Sequence, residues 1–168
     1  TFRQFDVRKH PVLRRLNAKN VYLEPYQSAT LHMFFNNQIS HHRMLAALHV
    51  GAGKTLVALV AAAILIHDNS WIRVVIAARP SALSSFRSQF EKFFATESRI
   101  ADRIHLVTIN RFSRLGGEGP GYTLDTLRAR KTFLILDEAH GLRTTFKEKS
   151  TTRGAEGRPA RRVIRFAA

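Results

Sequence analysis

The sequence predicts an α/β domain in three layers, a mainly parallel sheet flanked by helices. Three observations carry that prediction. Residues 72–78, 104–109 and 132–136 are short apolar runs, mostly rich in β-branched residues, without polar alternation. Strands buried on both faces read this way. Between them lie longer stretches of helical periodicity, and strands alternating with helices pair in parallel through crossovers. Finally, a turn holding Gly51 and Gly53 joins another apolar run, 44–50, to a strongly apolar helix.

In chain order, residues 1–24 are basic, with Arg3, Arg8, Lys9, Arg14, Arg15 and Lys19, and read as a loosely packed lead-in. The domain proper is expected over 25–168. A helix starts at Pro25, with Leu31, Phe34, Phe35 and Ile39 on one face, and closes at His41, His42 and Arg43. Residues 44–50 form an expected strand. Over 54–67, Leu56, Val57, Leu59, Val60 and Ile64 alternate with alanines, so this helix is apolar nearly all round and should be buried on most sides. After the strand 72–78, Pro80 and Ser81 open a helix carrying Leu83, Phe86, Phe90, Phe93 and Phe94. Beyond the strand 104–109, glycines over 116–121 mark a loop and 122–130 a short helix. The strand 132–136 follows, with Asp137 at its carboxyl end. Residues 147–160 read as a polar loop and 160–168 as a basic helix.

Composition excludes several chemistries. The 168 residues include no Cys, which removes disulfides, thiolate metal sites and a cysteine nucleophile. The longest apolar run, 56–66, is far short of the ~20 residues that span a bilayer, and no apolar leader opens the chain. An intracellular protein without a membrane partner is expected. The first residue is Thr rather than Met, so a piece of something longer is expected. The formal charge of +15 favours a polyanion, DNA or RNA before an acidic membrane surface. Arg supplies 20 of the 27 cations, and its planar fork suits phosphate.

Gly51-Ala52-Gly53-Lys54-Thr55 lies between an expected strand and an expected helix, the setting of a phosphate-binding loop. Small residues let backbone N–H groups wrap phosphates, and a helix N-terminus adds its positive dipole end. Lys54 would reach the β- and γ-phosphates, and the Thr55 hydroxyl would bind Mg²⁺. The full pattern has its first glycine where this chain has Leu48. Asp137-Glu138-Ala139-His140 follows the last strand. A carboxylate there faces the ligand edge of a parallel sheet, so Asp137 could hold Mg²⁺ through water while Glu138 polarises the attacking water. A chance Gly-Lys-Thr in a loop and an exposed acidic turn are the plainer alternatives.

Taken together, these two segments resemble motifs I and II of superfamily 2 helicases and translocases, a likeness covering roughly residues 22–145. Leu23-Glu24-Pro25-Tyr26-Gln27 resembles the Q-motif region of Swi/Snf-like members. Residues 78–83 with Phe86 resemble motif Ia, and 107–112 the motif Ib/Ic neighbourhood. The resemblance implies the N-terminal RecA-like, ATP-binding lobe of a nucleic-acid-dependent ATPase. It implies that Gln27 reads adenine with Tyr26 beside it, that Gly51, Ala52, Gly53, Lys54 and Thr55 cradle ATP, and that Lys54, Asp137 and Glu138 are catalytic. It places Arg79, Pro80, Ser81, Thr108, Asn110 and Arg111 on a DNA or RNA backbone, and gives His140 a coupling role. Pro80 and Ser81 could equally start a helix, Asn110 a turn, and His140 could be a packing residue. A second RecA-like lobe, source of the arginine fingers, is the implied partner; its motifs are not in these 168 residues. The main rival is a P-loop ATPase of another superfamily, such as a restriction-type motor or an assembly ATPase, against which the Q-motif candidate and the Asp-Glu-Ala-His segment argue; the other readings are a nucleotide-gated nucleic-acid-binding module and a viral transcription factor without helicase activity of its own.

Overall fold

The structure is a computed structural model that describes residues 5–41, 46–109 and 132–137. A single 3-10 turn (Val7–Lys9) leads into α1 (Pro11–Ala18) and α2 (Pro25–His41). Then come α3 (Lys54–Asp68), β1 (Arg73–Ala78), α4 (Pro80–Phe94), α5 (Ser98–Ala101), β2 (Ile104–Thr108) and β3 (Thr132–Leu136). The described strands form one parallel sheet in the order β2-β1-β3. The expected helices 122–130 and 160–168 and the loops 116–121 and 147–160 lie outside the described residues.

β1 is the middle strand, and its sequence says why: five of its six residues are buried. Val74, Ile76 and Ala78 point to one face and join the main core. Val75 and Ala77 point to the other, in a smaller cluster with Val107, Ile109 and Leu136. This is the period-2 rule applied to a strand with two dry faces. Helix α3 fills the main core, with every residue from Val57 to Ile66 buried. Phe86 and Phe94 of α4 add the largest fully buried rings.

The four residues between α3 and β1 force the chain to turn back on itself. Helix α3 therefore runs antiparallel to β1 against its Val74–Ile76–Ala78 face, and its N-terminus lies toward the carboxyl edge of the sheet. Fifteen helical residues span about 22 Å and six strand residues about 20 Å, so the two lengths match.

Two expectations are corrected. Residues 5–24 are not loosely packed. Val7, Val12, Leu13 and Leu16 are 4% exposed or less and belong to the main core. Pro11 sits at the first turn of α1, and the His10 side chain accepts from the Val12 N–H, so the helix is capped despite its arginines. Its end closes in the left-handed manner: Asn20 has φ 58°, the Val21 N–H donates to the Leu16 carbonyl and the Asn20 N–H to that of Asn17. The second correction concerns 44–50, where 46–49 has no regular secondary structure and joins no ladder among the described residues. The Ala52 N–H donates to the His49 carbonyl, so a turn begins where the strand should continue, and Val50 is 90% exposed.

Candidate nucleotide-binding site

The loop that precedes α3 requires its glycines. Gly51 has φ 82° and Gly53 φ 69°, left-handed values that cost a residue with a Cβ of the order of 1–2 kcal/mol. Gly53 is the N-cap of α3 and offers no side-chain cap, so the free N–H groups of the first turn face whatever occupies the loop. Space is the second constraint at Gly53: a Cβ there would lie 2.5 Å from Gln27 Nε2.

Gln27 is 5% exposed and both ends of its amide are engaged. Its Oε1 accepts from the Glu24 N–H at 3.0 Å, and its Nε2 donates to the Ala52 carbonyl at 3.0 Å. The Tyr26 hydroxyl donates to the same carbonyl at 3.3 Å. The start of α2 is thus tied to the loop through one oxygen atom, joining residues 25 positions apart in sequence. Lys54 Nζ donates to the Leu48 carbonyl at 3.4 Å, a long contact. Thr55 is half-buried one residue on.

The carboxyl edge of the sheet collects the other predicted positions. Ala78 pairs with Thr108 and Ala77 with Leu136, so Arg79, Thr108 and Asp137 lie along the same edge. The Asp137 N–H donates to the Ala77 carbonyl at 2.9 Å, which fixes its backbone beside β1, and it is half-buried. Arg79 caps α4, Pro80 takes its first position, and both are exposed with Ser81. Glu138, Asn110, Arg111 and His140 lie outside the described residues. The donor set fits a phosphate: a left-handed glycine turn, a helix N-terminus and a weakly held ammonium.

A family match shows what kind of chain carries this turn. The model of the family described as type III restriction enzyme, res subunit, matches residues 20–168. The chain belongs to that family. As a res-subunit family member it is a superfamily 2 helicase-type ATPase lobe with a RecA-like fold. Its structure is similar to that of the Sulfolobus solfataricus SWI2/SNF2 ATPase core in complex with dsDNA, with TM-score 0.56 and 22% identity. That likeness covers 76% of this chain and 29% of the other, so the chain spans under a third of its structural neighbour. No curated protein matches the chain.

One polar cluster was invisible in the spacing. His10, His67 and Asp68 bring ligand atoms within 4.8 Å of one another. The hydrogen bonds argue for a relay rather than a metal. The Val12 N–H can only donate, so His10 Nδ1 accepts and Nε2 carries the proton. Nε2–H then donates to Asp68 Oδ1 at 2.9 Å, leaving no lone pair for a cation. His67 Nδ1 meets the same oxygen at 3.1 Å. The relay pins the start of α1 to the end of α3. Among the described residues no helix is long and apolar enough to cross a membrane.

Proposed function

We propose that this res-subunit lobe binds Mg·ATP at the 51–55 turn and couples its hydrolysis, with a second RecA-like lobe, to movement on DNA or RNA inside the cell or virus. The observation that carries the reading is the turn itself: two left-handed glycines at the N-terminus of a buried helix, tied by Gln27 and Tyr26 to α2. Phosphate oxygens would take the N–H groups of the first turn of α3. Lys54 would exchange its 3.4 Å carbonyl contact for a charge-assisted bond to the β- and γ-phosphates. Gln27 would report adenine to the loop through the carbonyl it already holds.

Mg²⁺ would neutralise charge developing on the transferred phosphate. Thr55 would hold it directly and Asp137 through water. Glu138, next in sequence, would orient and polarise the attacking water, and the Asp-Glu-Ala-His segment would act as a DEAH box, with His140 coupling the site to the partner lobe. Arg79, Pro80 and Ser81, exposed at the start of α4, would contact nucleic-acid backbone with Thr108, Asn110 and Arg111. The Sulfolobus ATPase core was solved with dsDNA, which makes a duplex the first nucleic acid to try. An arginine finger is worth ~10³–10⁵ in rate, so the 168-residue chain by itself should turn over hardly at all.

The test is calorimetric titration of Lys54→Ala with Mg·ATP. Affinity should fall at least tenfold while circular dichroism is preserved. Unchanged affinity would remove the turn from the argument. Measurable DNA-stimulated turnover by the 168-residue chain would overturn the dependence on a second lobe. A nucleotide-gated binding module would differ from a motor in one respect: nucleotide would alter DNA affinity with no phosphate released even when the second lobe is supplied.

A further inference from the structure

The opposite edge of the sheet carries a second candidate site. A pocket of about 540 Å³ opens where the chain enters β1 and β2, lined by Arg15, His67, Ser70, Glu97, Arg99 and Arg103. Ile66 and Ile100 lie at its floor, 4% and 3% exposed and packed into the main core. Six residues of β1, about 20 Å, separate this edge from the carboxyl edge that bears the nucleotide-binding turn.

The charge in the pocket is unbalanced. Arg15 is satisfied by Glu97 at 3.0 Å. Arg99 and Arg103 have no carboxylate within ion-pair distance among the described residues. Asp68, the nearest carboxylate on α3, is already held by His10 and His67. His67 lines the pocket and meets Asp68 through Nδ1. The main chain of Arg103 is fixed at the start of β2. The Arg103 carbonyl accepts from the Val74 N–H at 2.9 Å, and its N–H donates to the Ile100 carbonyl. Concave sites of roughly 300–1,000 Å³ suit small ligands, and two unmatched guanidinium forks suit a phosphate.

We propose that this cleft binds a small phosphate-bearing ligand, with its phosphate on Arg99 and Arg103. A duplex backbone runs over a surface and reads a stripe of cations. A concave cleft open to solvent at Arg15, Ser70 and Arg99 instead offers two cations to one compact anion. This goes beyond the nucleotide-binding reading and does not rest on it.

Trp71 is the only Trp in the chain, follows the pocket residue Ser70 and is 55% exposed, so its fluorescence is a natural reporter. Inorganic pyrophosphate, without Mg²⁺, is titrated into the Lys54→Ala chain, followed by fluorescence and calorimetry. Saturable one-to-one binding is expected. Arg99→Gln and Arg103→Gln should each weaken it about tenfold, the cost of a charged hydrogen bond. Arg87→Gln, an equal loss of charge on exposed α4 surface, should leave it unchanged. Arg99 is exposed and not ion-paired, so its variant tests the site even if Arg103→Gln folds poorly. No binding to Lys54→Ala would overturn the proposal, as would equal effects of Arg87→Gln and Arg99→Gln. So would binding of a twenty-base-pair duplex at Arg99 and Arg103 without any of pyrophosphate. Failure of the 51–55 turn to bind ATP would leave all these results readable.

Discussion

Replacing Gly53 with Ala should cost about 3 kcal/mol of stability, against about 1 kcal/mol for Gly51→Ala. Both residues have left-handed φ, 69° and 82°. An added Cβ costs ~1–2 kcal/mol in that region, and the stiffer unfolded chain returns ~0.4–1 kcal/mol. For Gly51 nothing lies within 4 Å of the new atom, so about 1 kcal/mol is the whole effect. For Gly53 the Cβ would stand 2.5 Å from Gln27 Nε2. The amide must swing away. That releases its bonds to the Ala52 carbonyl and the Glu24 N–H, each worth about 1 kcal/mol net.

Urea unfolding of both single variants gives the comparison, and the Gln27→Ala background completes a double-mutant cycle. With Gln27 shortened, Gly53→Ala should cost no more than Gly51→Ala. In a chain of 168 residues, 2 kcal/mol corresponds to a fall of about 4–8 °C in Tm. Equal costs for the two glycine variants, or a Gly53→Ala penalty undiminished by Gln27→Ala, would show that the turn is not braced by α2.

Three other perturbations address different parts of the molecule. Leu16→Ala should cost about 2–5 kcal/mol in urea unfolding, because Leu16 is 1% exposed in the main core; a loss under about 0.5 kcal/mol would return α1 to the status of a loose lead-in. His105 in β2 has its pKa lowered from 6.5, first by burial and then by the charge of Arg73. Below pH 6.5 the unfolded chain therefore binds the proton better, so the stability from neutral His105 is complete above that pH and declines as pH falls beneath it. His105→Gln should flatten the urea midpoint between about pH 7.5 and pH 5, and an unaltered slope would dismiss the effect. Duplex binding should weaken steeply with salt, and Arg79→Gln should reduce the slope of log K against log salt by about 1. A flat salt response would count against a phosphate-tracking surface at α4.

Where the sequence was legible, the signal was a local one. The run 132–136 is β3 to the residue because an unbroken apolar run ending in Asp has few other options in a parallel sheet. Pro80 marks the first position of α4 because its missing N–H costs nothing there. Helix α3 was legible from its all-round apolar character, and burial from Val57 to Ile66 follows. What escaped was decided across long separations. The arginines of α1 hide an apolar face of Val12, Leu13 and Leu16 that shows only once α3 and the core supply its partner. The relay from His10 to Asp68 spans 58 positions, and no spacing rule reaches that far. Likewise, Gln27 was singled out for adenine, but composition could not say that its amide already holds the Ala52 carbonyl. Residues 46–49 misled for the opposite reason: apolarity there is real, but the backbone bonds go to a turn.

A phosphate-binding turn needs glycine only where the backbone is left-handed or where a Cβ would collide. Among the described residues the left-handed positions are Asn20, Gly51 and Gly53, so Leu48 is not one of them. What Leu48 supplies to the turn is its carbonyl, which accepts from Lys54 at 3.4 Å and which any residue possesses. Its side chain packs against the main core instead, anchoring the segment that leads into the turn. Glycine at 48 would give up that anchor and add backbone freedom where none is used. The two positions that do need glycine have it, and the more crowded of them touches Gln27. The shape of the turn therefore needs no glycine at 48, and the variant most informative about it is not Leu48→Gly but Gly53→Ala.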